Sequence, residues 1–177
     1  PTSRPAAAPE SHPALFPAHA PSPLGPAVFS VLDHGPLTAV APVGLPIATP
    51  LVMCLSPSVP GKTLAELVAY AKANPGKIVF GSQGYGTAPH LRTEMLKLET
   101  GVDIVHVPYR GTNPAITDLL AGQIQMFTDT STVVIPQIQA GKLRALAVTT
   151  PTRNARLPDV ETTAAAAFPK LSPYFLL

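Results

Sequence analysis

The chain has 177 residues, of which 46% are hydrophobic and only 12% are charged, and its formal net charge is +2. This length is typical of one domain with appendages, and the composition excludes a disordered protein kept open by charge repulsion. The lysines and arginines are scattered rather than gathered in the basic stripe that nucleic-acid binding needs, so no nucleic-acid partner is predicted. Because Cys54 is the only cysteine, the sequence predicts no intrachain disulfide and no cysteine metal site. A metal site of His90, His106 and Asp129 has no supporting spacing, and no cofactor is predicted.

Prolines dominate the N-terminal part of the chain, where more than half of the 23 prolines lie within residues 1–60. Proline lacks a backbone N–H and fixes φ, so residues 1–37 are predicted to form an irregular arm. Two short apolar runs follow, at residues 38–43 and 50–55. Runs of this length predict buried strands, and the flanking prolines place them at a sheet edge.

Residues 61–150 alternate between helical and strand patterns. Thr63 and Glu66 have the spacing of a capping box, which predicts a helix that ends at residues 74–76. Three further helices are predicted, marked by Leu91, Met95 and Leu98, by Ile116, Leu119 and Leu120, and by residues 133–140. Strands are predicted at residues 78–80, 102–107, 124–127 and 143–148.

This alternation predicts an α/β fold with a mostly parallel sheet and helices on both faces. The chain is then divided into the arm at residues 1–37, an α/β lobe at 38–150 and a tail at 151–177. In open α/β sheets, ligands bind beyond the carboxyl ends of the strands. The loops that follow the predicted strands are therefore the places to look for functional residues.

Three loops satisfy this condition, at residues 81–90, 108–114 and 128–132. Each is polar or glycine-rich and leads into a helix start, which carries unpaired N–H donors and a partial positive charge. Thr112 or Asn113 is the predicted cap of the second helix start. Two such starts that face one cleft predict binding of a small carboxylate, although glycine-rich turns before helices also occur without any ligand.

The catalytic alternative depends on Ser82. The chain has no Gly-x-Ser-x-Gly elbow, and it lacks the lysine of a phosphate loop and the third glycine of a dinucleotide fingerprint. A Ser82–His90–Asp129 triad is the alternative hypothesis and would make the protein a small serine hydrolase. His106 is predicted to be a hydrogen-bonded core residue. Asp129 either caps a helix or accepts a hydrogen bond from an amine or hydroxyl of a ligand.

Five motifs follow one another along the chain: PGKTLAEL at 60–67, GSQGYGTAPH at 81–90, VHVPYRG at 105–111, AGKLRALA at 140–147 and LPDV at 157–160. Together, over residues 38–168, they resemble the tripartite tricarboxylate transporter substrate-binding proteins, also called the Bug family. The resemblance implies a periplasmic, non-enzymatic solute-binding protein with two α/β lobes, which captures a small carboxylate and delivers it to membrane permease subunits. It also implies that residues 61–150 form the second lobe, of the periplasmic binding protein type II kind, flanked by strands that cross between the lobes.

The resemblance further implies a ligand site in the same loops. Residues 81–90 match the family's Gly-Ser-x-Gly-x-Gly-Thr loop, and residues 108–111 match its Pro-Tyr-Lys/Arg-Gly loop. Asp129 matches an acidic position at a strand end. The predicted ligand-binding residues are Ser82, Gly84, Gly86, Thr87, His90, Asp129, Tyr109, Arg110 and Gly111.

Both ends of the chain depart from the family pattern. Residues 1–37 contain no counterpart of the first lobe's opening segments, and the pattern is lost again after Thr163. We therefore expect a chain truncated at both ends, whose uncovered lobe interface favours self-association. A truncated remnant that binds no ligand is the further alternative.

Overall fold

The computed structural model describes residues 50–171, so the arm predicted at residues 1–37 and the run at 38–43 lie outside the described part. Within it, strands and helices alternate in the predicted order. The strands are β1 (Leu51–Leu55), β2 (Ile78–Ser82), β3 (Ile104–Pro108), β4 (Met126–Thr130) and β5 (Arg144–Val148). The helices are α1 (Leu64–Ala73), α2 (Ala88–Thr100), α3 (Thr112–Leu120) and α4 (Ser131–Gln139), followed by a short 3-10 helix at Pro169–Leu171. None of the helices within residues 50–171 is long and apolar enough to span a membrane.

The strands form one sheet in the order β3-β2-β4-β1-β5. β2 pairs in parallel with β3 and β4, whereas β1 pairs antiparallel with β4 and β5. Four of the five strands therefore point the same way, which confirms the prediction of a mostly parallel sheet. Because β2, β3 and β4 are parallel, the loops that follow them all leave the sheet at one edge.

The sheet-edge position predicted for the 50–55 run is wrong, because β1 lies between β4 and β5. All five residues of β1 are buried, and none of them is proline. Each residue therefore keeps an N–H for pairing, and a proline that only flanks a strand does not confine it to an edge. Pro50 provides a hydrogen-bond acceptor for the start of α4: its carbonyl oxygen accepts from the Ser131 N–H at 2.9 Å.

Side chains alternate between the two faces of the sheet and build two apolar clusters. Helices α1 and α2 pack over the face that carries Phe80, and helices α3 and α4 pack over the face that carries Phe127. Both phenylalanines are buried, and full burial of such a side chain stabilises a fold by about 1.5–3 kcal/mol. The prediction of helices on both faces is confirmed.

Strand β4 begins at Met126, two residues later than predicted, because the preceding residues close the end of α3. The Gln123 N–H donates to the Asp118 carbonyl oxygen at 2.8 Å and completes that turn. At its other end, β4 extends to Thr130. It therefore includes Asp129, which the sequence analysis had placed in the loop after the strand. Strand β3 is likewise displaced by two residues from its predicted start.

Helix α2 turns a different face to the core from the one that its leucines suggest. The spacing of Leu91, Met95 and Leu98 correctly predicts a helix, but Leu98 is 84% exposed. Arg92 is buried instead, because its guanidinium donates to the carbonyl oxygen of Leu171 in the 3-10 helix. The face of α2 that is buried carries Pro89, Arg92, Thr93 and Leu96.

The described part of the predicted tail, residues 151–171, packs against the same sheet. Thr162 forms a parallel bridge to Val148 at the end of β5. Leu171 is buried in the cluster beneath α1 and α2. The domain boundary near residue 150 stays a prediction.

Candidate functional site

The three loops predicted to bind a ligand meet at the carboxyl edge of β2, β3 and β4. Ser82 ends β2, and its carbonyl oxygen accepts from the Tyr109 N–H, just beyond β3, at 2.8 Å. The segment after β3 enters α3, and the segment after β4 enters α4 without an intervening loop. The parallel register of β2 with both neighbours therefore brings the loop starts together.

A chain of hydrogen bonds ties the three segments to one another. The Gln83 side-chain amide donates to Thr112 Oγ1 at 3.2 Å, and Thr112 Oγ1 donates to Asp129 Oδ2 at 2.7 Å. The other Asp129 oxygen accepts from the Thr130 N–H at 2.6 Å. We call Gln83, Thr112 and Asp129 the edge relay.

The helix-cap role predicted for Asp129 is wrong, because the N-caps of α3 and α4 are Gly111 and Thr130, and its predicted role towards a ligand stays a prediction. Its carboxylate is only 4% exposed and accepts from the first residue of α3, where a negative charge is favourable. The predicted helix cap at Thr112 or Asn113 is wrong, because the N-cap of α3 is Gly111, with φ 119°. Thr112 is the first helical residue, and its hydroxyl is committed to Asp129. Sequence reasoning missed Gln83 because no local pattern signals a hydrogen bond to a residue 29 positions away.

Ser82 lies on the opposite face of the sheet from Asp129, beneath the start of α2. Its hydroxyl is 2.7 Å from His106 Nε2 and accepts from the Gly84 N–H at 3.2 Å. Ser82 has 0% exposure, so no substrate can reach its oxygen in this conformation. His106 is hydrogen-bonded, as predicted, and its partner is this serine.

The turn at residues 84–87 is closed by bonds within the loop. Thr87 Oγ1 donates to the Gly84 carbonyl oxygen at 2.8 Å, and the Gly86 N–H donates to His90 Nδ1 at 3.2 Å. Gly86 and Thr87 are buried. Five of the nine predicted ligand-binding residues thus form one folded loop, in which their side chains and amides bond mainly to one another.

An aromatic and imidazole cluster covers this loop. The His90 and His106 ring centroids are 4.4 Å apart, and the Phe80 ring stacks on His106 at 4.6 Å. Tyr85, which is 59% exposed, meets both imidazoles edge-on. Burial lowers the pKa of His106 to about 4, with a further contribution from His90, and burial also lowers the pKa of His90.

The lowered pKa of His106 predicts a loss of stability in acid. The unfolded chain takes up a proton near the ordinary pKa of 6.5, whereas the folded protein takes it up only near 4. The stabilising contribution is therefore complete above about pH 6.5 and is lost as the pH falls towards 4. We expect a loss of about 1 kcal/mol, a figure reduced for the solvent that screens this half-buried ring.

Urea unfolding of the wild type and of His106→Gln across this pH range measures the effect. Glutamine keeps a hydrogen-bonding group near Ser82 but does not titrate. The difference in unfolding free energy between the two proteins should shrink as the pH falls. A difference that does not change with pH would contradict the prediction.

The loop after β3 carries three of the four remaining predicted residues, since Asp129 lies in β4. The Tyr109 hydroxyl donates to Asp118 Oδ2 at 2.7 Å, and burial together with this bond raises the pKa of Tyr109 to about 12. Its ring therefore packs back along α3. Arg110 is exposed, and Gly111 has a positive φ that favours glycine.

The triad of Ser82, His90 and Asp129 is wrong. Ser82 bonds to His106, His90 bonds to the Gly86 amide, and Asp129 bonds to Thr112 and Thr130. Ser82 and Asp129 also lie on opposite faces of the sheet. Within residues 50–171, no group of three or more His, Cys, Asp or Glu side chains is placed to hold a metal ion.

A shallow, mainly apolar cavity of about 260 Å³ lies elsewhere in the fold. Ile138, Leu143, Arg144 and Val160 line it, beside the start of β5. Since β5 runs in the same direction as β2, β3 and β4, its start lies at the opposite edge of the sheet from the three loops. The cavity is thus separate from the edge relay.

Comparison with known proteins gives one family for almost the whole chain. Residues 6–174 match the model of the family described as "Tripartite tricarboxylate transporter family receptor". BugT of Bordetella pertussis is 34% identical over 158 residues, which cover 88% of this chain and 48% of BugT. The chain thus spans about half the length of this curated relative.

Solved structures with the same fold include three that cover most of this chain. The periplasmic binding protein BugD has a TM-score of 0.79 at 33% identity, over 88% of this chain and 52% of BugD. An R. palustris protein with adipate has a TM-score of 0.73 at 34% identity, over 80% of this chain and 48% of that one. MatC from Rhodopseudomonas palustris, with bound malate, has a TM-score of 0.74 at 26% identity, over 83% and 50%. The predicted periplasmic binding protein-like α/β fold is confirmed.

Proposed function

Because the chain belongs to the tripartite tricarboxylate transporter receptor family, we propose that it acts as a solute-binding receptor for a small carboxylate. The observation that carries this proposal is the edge relay, which ties the loops after β2 and β3 to the end of β4 at one edge of the sheet. Structures similar to this chain hold adipate and malate, both small carboxylates. An open α/β sheet binds its ligands at this edge.

The proposed contacts are main-chain N–H groups near Gly84 and Gly111, with the Arg110 guanidinium beside them. Among the residues that the structure describes, no heavy atom outside each glycine and its two chain neighbours lies within 4 Å of where a Cβ would be, so a ligand can approach the backbone there. Arg110 is exposed and supplies the positive charge that a carboxylate needs. The other predicted residues shape the loops: Ser82, Gly86, Thr87, His90, Tyr109 and Asp129.

The proposal extends to location and partners. A receptor of this family would act in the periplasm, pass its ligand to membrane permease subunits and catalyse no reaction. Self-association through the loop edge is part of the proposal, because Tyr85 exposes 59% of its surface there. A bound partner would cover that ring.

One observation favours the hydrolase as the second candidate. Ser82 Oγ and His106 Nε2 are 2.7 Å apart, a distance suited to a nucleophile and its base. The complete burial of Ser82 argues against it. Ester hydrolysis by the wild type that disappears in Ser82→Ala would favour the hydrolase, whereas an unaltered background would exclude it.

Isothermal titration calorimetry of the chain with malate and with adipate tests the receptor function. We expect saturable binding of at least one of them, and an affinity about tenfold lower in Arg110→Gln, because a charge-assisted hydrogen bond is lost. Arg156→Gln is the matched control, since it removes the same charge from another exposed arginine. Absence of binding heat with both acids, or equal weakening in the two variants, would refute the proposal.

A further inference from the structure

His90 holds the ligand loop closed through a bond that only its neutral form can make. The Gly86 N–H donates to His90 Nδ1 at 3.2 Å. A backbone amide can only donate, so Nδ1 must be unprotonated and the ring proton must lie on Nε2. A second proton on the ring would bind to Nδ1. The Nδ1–H and the Gly86 N–H, which are both donors, would then point at each other.

We propose that His90 is a pH-sensitive latch on the 84–87 turn, which is closed while the imidazole is neutral and released when it is protonated. When the bond to His90 is released, the Gly86 N–H becomes free to donate to an anion. The same loop carries other N–H groups that we propose as donors to the carboxylate. Protonation of His90 also adds a positive charge one helical turn away. Through this change, acid would strengthen carboxylate binding, a consequence that rests on the proposed function.

The surroundings of His90 keep the latch closed near neutral pH. Burial lowers the pKa of His90 below its ordinary value of 6.5, and Lys97 lowers it further, whereas Glu94 raises it. His106 faces the ring at 4.4 Å, and Phe80 and Tyr85 face it with apolar surface. Glu94 also bonds to Lys97 at 2.9 Å, which partly neutralises both charges.

His106 does not act as a second latch, although it lies beside His90. Ser82 Oγ accepts from the Gly84 N–H and has the Gly84 carbonyl within 3.0 Å as an alternative acceptor for its own proton. The serine hydroxyl can therefore accept a hydrogen bond from His106 Nε2 or donate one to it. Protonation of His106 leaves this bond intact, whereas protonation of His90 breaks its bond to Gly86.

Nuclear magnetic resonance without any ligand tests the latch. The wild-type chain is titrated from about pH 8 to about pH 4, a range that spans the titration of histidine. We expect the Gly86 amide resonance to move with the same midpoint as the His90 ring resonances. Across that midpoint, exchange protection of the Gly86 amide, corrected for its intrinsic pH dependence, should fall by about tenfold, as for one lost hydrogen bond.

Two variants separate the latch from a general effect of acid. In His90→Asn, the amide oxygen takes the place of Nδ1 and does not titrate, so the Gly86 resonance should stay fixed. In His106→Gln, the Gly86 titration should persist. A stationary Gly86 amide while the wild-type His90 titrates, a His90 that stays neutral throughout, or an unchanged titration in His90→Asn would each overturn the proposal. Calorimetry that detects no carboxylate would refute the receptor function alone and leave these results standing.

Discussion

Replacing Asp129 with alanine is expected to destabilise the protein by about 3 kcal/mol, because two half-buried donors lose their shared acceptor. The Thr112 hydroxyl and the Thr130 N–H are 2.7 Å and 2.6 Å from the Asp129 carboxylate. Urea unfolding measures the loss, and calorimetry should show weaker carboxylate binding because the loops are no longer held together.

Two controls show whether the loss at Asp129 comes from the relay. Asp129→Asn keeps one side-chain oxygen as an acceptor and should cost about half as much as alanine, about 1.5 kcal/mol. Asp159→Ala removes an exposed carboxylate and should change stability by less than about 0.5 kcal/mol. If Asp129→Ala is as mild as Asp159→Ala, the edge relay does not hold the loops.

Replacing Gly81 with valine is expected to cost about 2–3 kcal/mol, because the space beside this glycine is already filled. A Cβ at Gly81 would lie 2.6 Å from Ile124 Cδ1 and 3.1 Å from Tyr109 Cε2. The end of Ile124 can move, but the Tyr109 ring is anchored by its hydroxyl bond to Asp118. The variant should therefore disturb the strand directly before the ligand loop.

The double variant Gly81→Val/Ile124→Ala tests this steric explanation. Ile124→Ala alone should cost about 2–5 kcal/mol, because it leaves a cavity in the core. In the double variant, the valine at position 81 occupies part of that cavity. The loss of unfolding free energy should therefore be smaller than the sum of the losses in the two single variants. Strictly additive losses would show that Ile124 is not what excludes a side chain at position 81.

Local patterns in the sequence predicted the α/β architecture because they correspond to local physical causes. Thr63 accepts from the Glu66 N–H at 3.2 Å, which is one half of a capping box, while the Glu66 carboxylate accepts from the Lys62 N–H. Gly101 ends α2 in the left-handed conformation, with φ 69°. Such signals act over a few residues and can be read from a single chain. The order of the strands, and with it the interior position of β1, depends on pairing between distant segments and leaves no local signal.

The sequence predicted the sheet edge at which the candidate segments meet, but it did not predict the hydrogen bonds between them. The rule for open α/β sheets correctly identified the edge where the loops meet, since it needs only the direction of the strands. The edge relay forms because the β2–β4 register and the start of α3 bring Thr112, Asp129 and Gln83 together. A shift of one residue in the strand register would turn the strand side chains to the other face of the sheet. The pairing of Ser82 with His106 depends in the same way on the β2–β3 register.

The central claim is that the loops after β2 and β3, together with the end of β4, bind a small carboxylate at one edge of the sheet. The most direct test is a nuclear magnetic resonance titration of the wild-type chain with malate and with adipate, which maps the amides that respond. The account predicts saturable shifts concentrated at residues 83–87 and 110–113. Resonances that do not respond to either acid, or shifts confined to the cavity at Ile138 and Leu143, would contradict it.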